Sequence, residues 1–297
     1  MEYVIETRNL TKKFPKKVAV DHVNIHVQKG DIYGFIGRNG AGKTTAMKVI
    51  LGMLDATDGS VALFGNEKPE KERKRVGSLI EAPGLYKHCT AFENMKRFAI
   101  IAGGSDEEIN EILKFVGLGD VGKKKVGAFS LGMKQRLGIA LSLLGNPECL
   151  ILDEPINGLD PAGIKEVRDL IIKLNKEKGV TFMISSHLLD ELGKVATRYG
   201  IINNGELVEE IAADELKKKC QKNLMIDVDN TKKALELLKK HNLATHHEVK
   251  DKTIVLYDED KDPSEINALL VNNGVKVSAL SYNNNSFEEF FIERLGK

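Results

Sequence analysis

The chain has 297 residues, 42% hydrophobic and 29% charged, which is ordinary for folded domains and excludes a long disordered polymer. Lys and Arg number 44 against 43 Asp and Glu, a formal charge of +1, so the basic surface of a nucleic-acid binder is not indicated. Uncharged runs such as residues 137–147 and 277–287 fall short of the ~20 apolar residues a membrane-spanning helix needs.

Residues 1–4 show no basic-then-apolar leader, and Cys89, Cys149 and Cys220 match no zinc or redox spacing, so a reducing cytosol is the expected compartment. Residues 3–9 and 19–27 alternate apolar and polar side chains, as half-buried strands do. Residues 32–36 are a short apolar run ending in a glycine-rich turn, and a helix is expected over 43–54. Strands follow at 61–64 and 76–80, then a helical region from about 91 to 144 that includes 107–116 and 135–144. Residues 149–152 and 180–185 read as buried parallel strands, and 164–177 and 188–196 as helices. This alternation predicts an α/β core, a parallel sheet covered on both faces.

Past Cys220 the texture changes. A strand at 223–228 precedes a helix at 231–241, with Thr231 as the expected N-cap. Strands at 245–250 and 253–257 meet at the turn Asp251-Lys252. A helix over 263–273 starts at Pro263 and stops at Gly274, and a strand covers 275–282. The order β-α-β-β-α-β predicts a split βαβ, or ferredoxin-like, domain, and residues 286–295 add a helix.

Gly37-Arg38-Asn39-Gly40-Ala41-Gly42-Lys43-Thr44 fits G-x-x-x-x-G-K-[ST]. Its glycines let backbone N–H groups converge on phosphate oxygens, and the next helix start adds partial positive charge. Lys43 is expected on the β- and γ-phosphates and the Thr44 hydroxyl on Mg²⁺. The run Cys149-Leu150-Ile151-Leu152 delivers Asp153 and Glu154 to a strand's carboxyl end, where open α/β sheets bind ligands. Asp153 is the expected Mg²⁺ carboxylate, and Glu154 the group that orients or deprotonates the attacking water. His22, His26 and His246-His247 read as structural, and the lysine run at 123–125 as a solvated loop.

Further segments resemble the ATP-binding-cassette (ABC) ATPases. Phe129-Ser130-Leu131-Gly132-Met133-Lys134-Gln135-Arg136 is similar to the L-S-G-G-Q signature, although Leu131 and Met133 replace its first glycine and its glutamine. Asn157-Gly158-Leu159-Asp160 resembles the D-loop, Ser185-Ser186-His187 the switch-histidine segment, and Leu10-Thr11-Lys12-Lys13-Phe14 the adenine-stacking segment. The resemblance implies an α/β P-loop NTPase cassette over residues 1–222, with a helical subdomain at about 82–145, and leaves 223–297 as the small α+β domain.

It also implies the roles. Lys43, Glu154 and His187 are the expected catalytic residues. Phe14, Gly37, Asn39, Gly40, Ala41, Gly42, Thr44, Thr45, Glu81, Ser130, Gly132 and Asp160 join Lys43 as the expected nucleotide-binding set. The metal set is Thr44, Asp153 and Glu81. Glu81 stands where the family usually has glutamine; as a carboxylate it can face Mg²⁺ or a basic partner group but cannot donate a hydrogen bond.

The partners implied are a second copy in a head-to-tail homodimer that sandwiches two ATP molecules, and separate permease subunits holding the chain on the inner face of the membrane. The glutamate loop, the Ser-Leu-Gly-Met-Lys-Gln-Arg segment and the small domain resemble the bacitracin-resistance and lantibiotic self-immunity ATPases. That subgroup implies efflux of a peptide antibiotic or similar amphiphile, with no nucleic-acid partner. Two alternatives stand beside it. One is a soluble ABC-type ATPase acting on nucleic acid or ribosomes, and the other a P-loop kinase, which would need an acceptor site.

Overall fold

A computed structural model describes residues 2–220, 223–257, 262–283 and 287–296. Lys222, the expected end of the cassette, and Ser286, the expected start of the last helix, lie outside the described residues. The chain divides into two compact units, Met1–Ala213 with Glu293–Lys297, and Asp214–Ile292.

The first unit opens with β1 (Tyr3–Phe14), β2 (Lys17–Val23), β3 (His26–Gln28), β4 (Ile32–Ile36), α1 (Lys43–Ile50) and β5 (Asp58–Leu63). It continues through β6 (Val76–Leu79), α2 (Ala91–Ala102), α3 (Asp106–Phe115), α4 (Leu131–Ser142), β7 (Cys149–Asp153) and α5 (Pro161–Lys178). It closes with β8 (Thr181–Ser186), α6 (Leu189–Gly193), β9 (Arg198–Asn203) and β10 (Glu206–Ala212).

Two sheets result. β1 pairs antiparallel with β2, β3 and β5. The other sheet has the order β10-β9-β4-β8-β7-β6, parallel except for β10. Every residue of β4, β7 and β8 is buried, which is why these strands read as continuous apolar runs rather than alternating ones. The core between the sheets is built from Val4, Ile5, Tyr33, Phe35, Met47, Ile50, Leu63, Ile151 and Met183. Each such side chain contributes about 1.5–3 kcal/mol by leaving water.

Local chemistry sets the boundaries. The expected strand over 19–27 is broken at Asn24-Ile25, because Thr7 bridges the gap: its Oγ1 donates to the Val23 carbonyl at 2.9 Å and accepts from Ile25 N at 2.8 Å. The first helix ends at Ile50 rather than near residue 54, since Gly52 adopts φ +71 and stops it. α2 begins with a capping box, Thr90 Oγ1 accepting from Glu93 N while the Glu93 carboxylate accepts from Thr90 N. β9 and β10, absent from the sequence expectation, form a hairpin through Asn204 (φ +49) and Gly205 (φ +90).

The second unit contains α7 (Ala213–Cys220) from its second residue on, β11 (Asn223–Val228), α8 (Thr231–Lys240), β12 (His247–Lys250), β13 (Thr253–Leu256), α9 (Pro263–Asn272), β14 (Val277–Asn283) and most of α10 (Phe287–Leu295). Its sheet runs β12-β13-β11-β14, antiparallel throughout, along a β-α-β-β-α-β path. Leu224, Ile226 and Val228 alternate inward from β11 onto Ala234, Leu238, Ile266 and Leu270 of the two helices. The N-cap of α8 is Asn230 and not Thr231. The Asn230 side-chain carbonyl accepts from Lys233 N at 3.1 Å, which leaves Thr231 as the first helical residue.

Candidate functional site

The carboxyl ends of β4, β8 and β7, three neighbours in the parallel sheet, carry the phosphate loop, His187 and the Asp153-Glu154 pair. The ladder puts Ile36 opposite Ser186 and Asp153 opposite Ser185, so segments far apart in the chain end at one place.

Two glycines of the loop are required sterically. A Cβ on Gly37 would lie 2.5 Å from the Ile202 carbonyl oxygen. Gly42, at φ +112, would place one 2.3 Å from the Ala19 carbonyl oxygen. Gly42 is also the N-cap of α1 and makes no side-chain cap, and the first turn holds no acidic residue. The leading N–H groups of α1 are therefore free of side-chain acceptors, the arrangement that suits an anion.

Beside the loop lies a cleft of about 380 Å³, lined by Phe14, Lys17, Ala19, Arg38, Asn39, Gly40, Gly42, Lys43, Thr44, Thr45 and Glu154. Ala41 is buried beneath the loop, where its carbonyl accepts from Gly205 N at 2.9 Å. The Lys43 ammonium is 6% exposed, donates to the Gly37 carbonyl at 2.6 Å and stands 3.5 Å from Glu154 Oε1. Phe14, 44% exposed, presents its ring at the cleft with the Lys12 ammonium 5.4 Å from its centroid.

Thr44 Oγ1 donates to Asp153 Oδ2 at 2.7 Å, and Ser185 Oγ donates to Asp153 Oδ1 at 2.5 Å. The His187 ring meets Glu154 Oε2 through Nδ1 at 2.8 Å. Glu154 itself has φ +49, and its N–H donates to both Ser185 Oγ (2.9 Å) and the Ser185 carbonyl (3.2 Å). The Thr44 hydroxyl and the Asp153 carboxylate are hard oxygen donors side by side. With phosphate oxygens and water they make the donor set Mg²⁺ takes, so these residues fit that ion.

The remaining expected residues lie apart from the cleft. Ser130 caps α4, its Oγ accepting from Met133 N at 3.2 Å, and Gly132 is buried in the first turn, where a Cβ would meet Gly163 Cα at 3.6 Å. Asp160 caps α5 by accepting from Gly163 N at 3.0 Å. None of the three lines the cleft of this chain. Leu131, 51% exposed, lies over Gly158, where an added Cβ would stand 3.5 Å from its Cδ2.

Glu81 also lies elsewhere. At φ +62 it turns into a second groove, about 380 Å³, walled by Met53, Ile80, Pro83, Phe98 and Leu141. Its carboxylate meets the Lys48 ammonium at 2.7 Å, and that hydrogen bond holds it below the usual carboxylate range. The basic group facing Glu81 is thus the chain's own Lys48, and Glu81 is not among the oxygens grouped at Thr44 and Asp153.

Three polar residues of the site, and Ala19 of the cleft wall, were not singled out by sequence. Lys17 donates to the Gly40 carbonyl at 3.1 Å, Arg38 lines the cleft, and Ser185 joins Asp153 to the Glu154 backbone. Lys17 belongs to no spacing rule. Ser185 stood inside the quoted Ser185-Ser186-His187 segment, and the parallel pairing of the two strand ends would have pointed to it.

Comparison with known proteins adds to this. The family model described as ABC transporter matches residues 20–157. The bacitracin transport ATP-binding protein BcrA of Bacillus licheniformis is 46% identical over 301 residues, covering 100% of this chain and 98% of that protein. The lantibiotic transport ATP-binding protein SrtF of Streptococcus pyogenes is 45% identical over 207 residues, 70% of this chain and 90% of that one. The solved ADP conformation of an ATP-binding cassette of an ABC transporter matches with a TM-score of 0.66 at 30% identity, over 73% of this chain and 94% of that one.

Proposed function

The chain belongs to the ABC transporter family of ATP-binding proteins, and on that premise we propose that it is the motor subunit of an exporter that extrudes a peptide antibiotic or similar amphiphile through a separate permease. It is an ATPase with an α/β ABC cassette fold. The exporter reading is carried by the likeness to a bacitracin transport ATP-binding protein, which runs through both units and not the cassette alone. Among the described residues no helix is long and apolar enough to cross a membrane. Membrane attachment then falls to the permease, and the groove at Glu81 offers that partner apolar walls and a charged rim.

In the proposed reaction Phe14 stacks on adenine, and the phosphate loop with the α1 start cradles the phosphates. Residues 37–45, Asp153, Glu154 and His187 of one copy face Ser130 and Gly132 of a second. Thr44 and Asp153 would hold Mg²⁺, which would supply positive charge to offset that of the phosphates. Glu154 accepts the proton of the attacking water as the new P–O bond forms. The bond from γ-phosphorus to the bridging oxygen breaks, and Lys43 balances the charge left on ADP. His187 holds Glu154 and reaches the γ-phosphate. Hydrolysis removes the ligand that joins the two copies and so opens the dimer.

The test is Glu154→Gln in the full chain. Hydrolysis is expected to fall about 10²–10⁴-fold while ATP binding remains and ATP·Mg²⁺ drives a stable dimer. Cells carrying the variant should lose tolerance to a bacitracin-type peptide, and the wild-type chain should purify from membranes with an integral-membrane partner. A variant that stays monomeric with ATP·Mg²⁺, or a wild-type chain that brings down no membrane protein, overturns the proposal.

A further inference from the structure

We propose that Ser185 is a positioning residue for ATP hydrolysis: one buried hydroxyl sets the orientation of the Asp153 carboxylate and of the peptide that carries Glu154. The inference rests on reading Asp153 as the metal carboxylate and Glu154 as the base.

A serine hydroxyl has one proton to give and two lone pairs to receive. Ser185 spends the proton on Asp153 Oδ1 at 2.5 Å. That leaves Oδ2 turned to Thr44, 2.7 Å from its hydroxyl. The carboxylate is thus held by both oxygens, one on each side, in a residue only 5% exposed. On its accepting side the same Oγ takes the Glu154 N–H at 2.9 Å. That bond helps to hold the Glu154 backbone. Its φ of +49 is a left-handed conformation, uncommon and somewhat costly for a residue with a Cβ.

Ser185 is fully buried, and it is the rung opposite Asp153 in the β7–β8 ladder. An apolar residue would satisfy burial equally well at this strand end. It would leave Asp153 Oδ1 without the Ser185 proton and shift the Glu154 N–H onto the 3.2 Å Ser185 carbonyl alone. The next residue does different work: Ser186 Oγ accepts from Leu188 N at 2.9 Å and shapes the turn after His187. The two serines divide the strand end between the acidic pair and the histidine.

The metal-side and base-side effects should therefore move together. In the purified full chain, Ser185→Ala is expected to raise the half-saturating Mg²⁺ concentration for ATPase activity and to lower kcat, each by about 10–100-fold. Binding of ATP without Mg²⁺ should stay near wild type, and the protein should still fold, with the thermal midpoint lowered only by the loss of one buried hydrogen bond to a charged group. Ser185→Thr and Ser185→Val carry the same extra volume and differ in the hydroxyl, so Thr should recover most of both parameters and Val neither. The proposal is overturned if Ser185→Ala keeps both parameters within about twofold of wild type, where outer-shell losses are ordinarily tenfold or more. It is equally overturned if Thr does no better than Val, which would make the role one of packing. Failure of the underlying reading looks different: Asp153→Asn would leave the Mg²⁺ dependence unchanged, or Glu154→Gln would still hydrolyse ATP.

Discussion

Burial sets the ionisation of two core groups on the strands that carry the site. The Cys149 thiol, enclosed in β7, is pushed from its ordinary 9.0 up to about 12. The Tyr33 phenol on β4 is pushed well above 10.0, first by burial and then by the Glu210 carboxylate. Between pH 9 and about 12 the unfolded chain gives up the Cys149 proton while the folded chain keeps it. Stability therefore falls through that window by up to about 1.4 kcal/mol per pH unit for each such group. Urea midpoints measured at pH 8 and 10.5 should drop, and Cys149→Ala should flatten part of the slope; a midpoint indifferent to pH in both proteins contradicts this. At this scale sequence was informative where a residue's duty is set by neighbours in the chain. Lys43, Thr44, Asp153 and Glu154 sit at motif spacing, and the structure groups them. Glu81 was ambiguous because its partner, Lys48, lies across a groove that only the fold creates.

At the scale of elements, the antiparallel strand β10, laddered to β9, is tied to β4 and β3 by one carboxylate. Glu210 accepts from the Tyr33 hydroxyl at 2.7 Å and from His26 N at 3.0 Å, and meets the His26 ring at 2.7 Å, joining β10 to β4 and β3. Room for the Tyr33 hydroxyl comes from Gly200 on β9, where a Cβ would stand 2.0 Å from that oxygen. Tyr33→Phe should cost about 1–3 kcal/mol, the worth of a hydrogen bond to a charged group. Gly200→Ala should also destabilise, by driving the ring from its place. Because both changes break the same bond, the double variant should lose less than the sum, as read from chemical unfolding; strict additivity would contradict it. The β9–β10 hairpin was missed, although the Asn204-Gly205 pair at its turn is a strong short hairpin signal. The break between β2 and β3 was not legible. It depends on Thr7, which hydrogen-bonds across the gap from a strand outside the window where alternation is read.

For the whole molecule, the two compact units each enclose their own apolar cluster, one around Phe35, Met47 and Met183, the other around Ile226, Leu238 and Leu270. Calorimetry of the full chain should resolve two unfolding transitions; one transition with matching calorimetric and van't Hoff enthalpies would contradict this. The large unit could be placed from its motifs because phosphate chemistry dictates residues at fixed offsets. The small unit obeys packing rules that many sequences satisfy, so its elements could be outlined while its role could not. The strand order also constrains how the molecule is made. β4, which bears the phosphate loop, has β8 and β9 as its neighbours, and both come from beyond Thr181. On the ribosome the loop emerges early yet has no sheet to sit in until most of the cassette has been translated. A nascent chain cut short before Ser186 lacks not a fraction of the site but its supporting frame. Nucleotide capture by this protein thus waits until β9 is made, and chains stopped short of Asn203 are the ones most in need of shelter from aggregation.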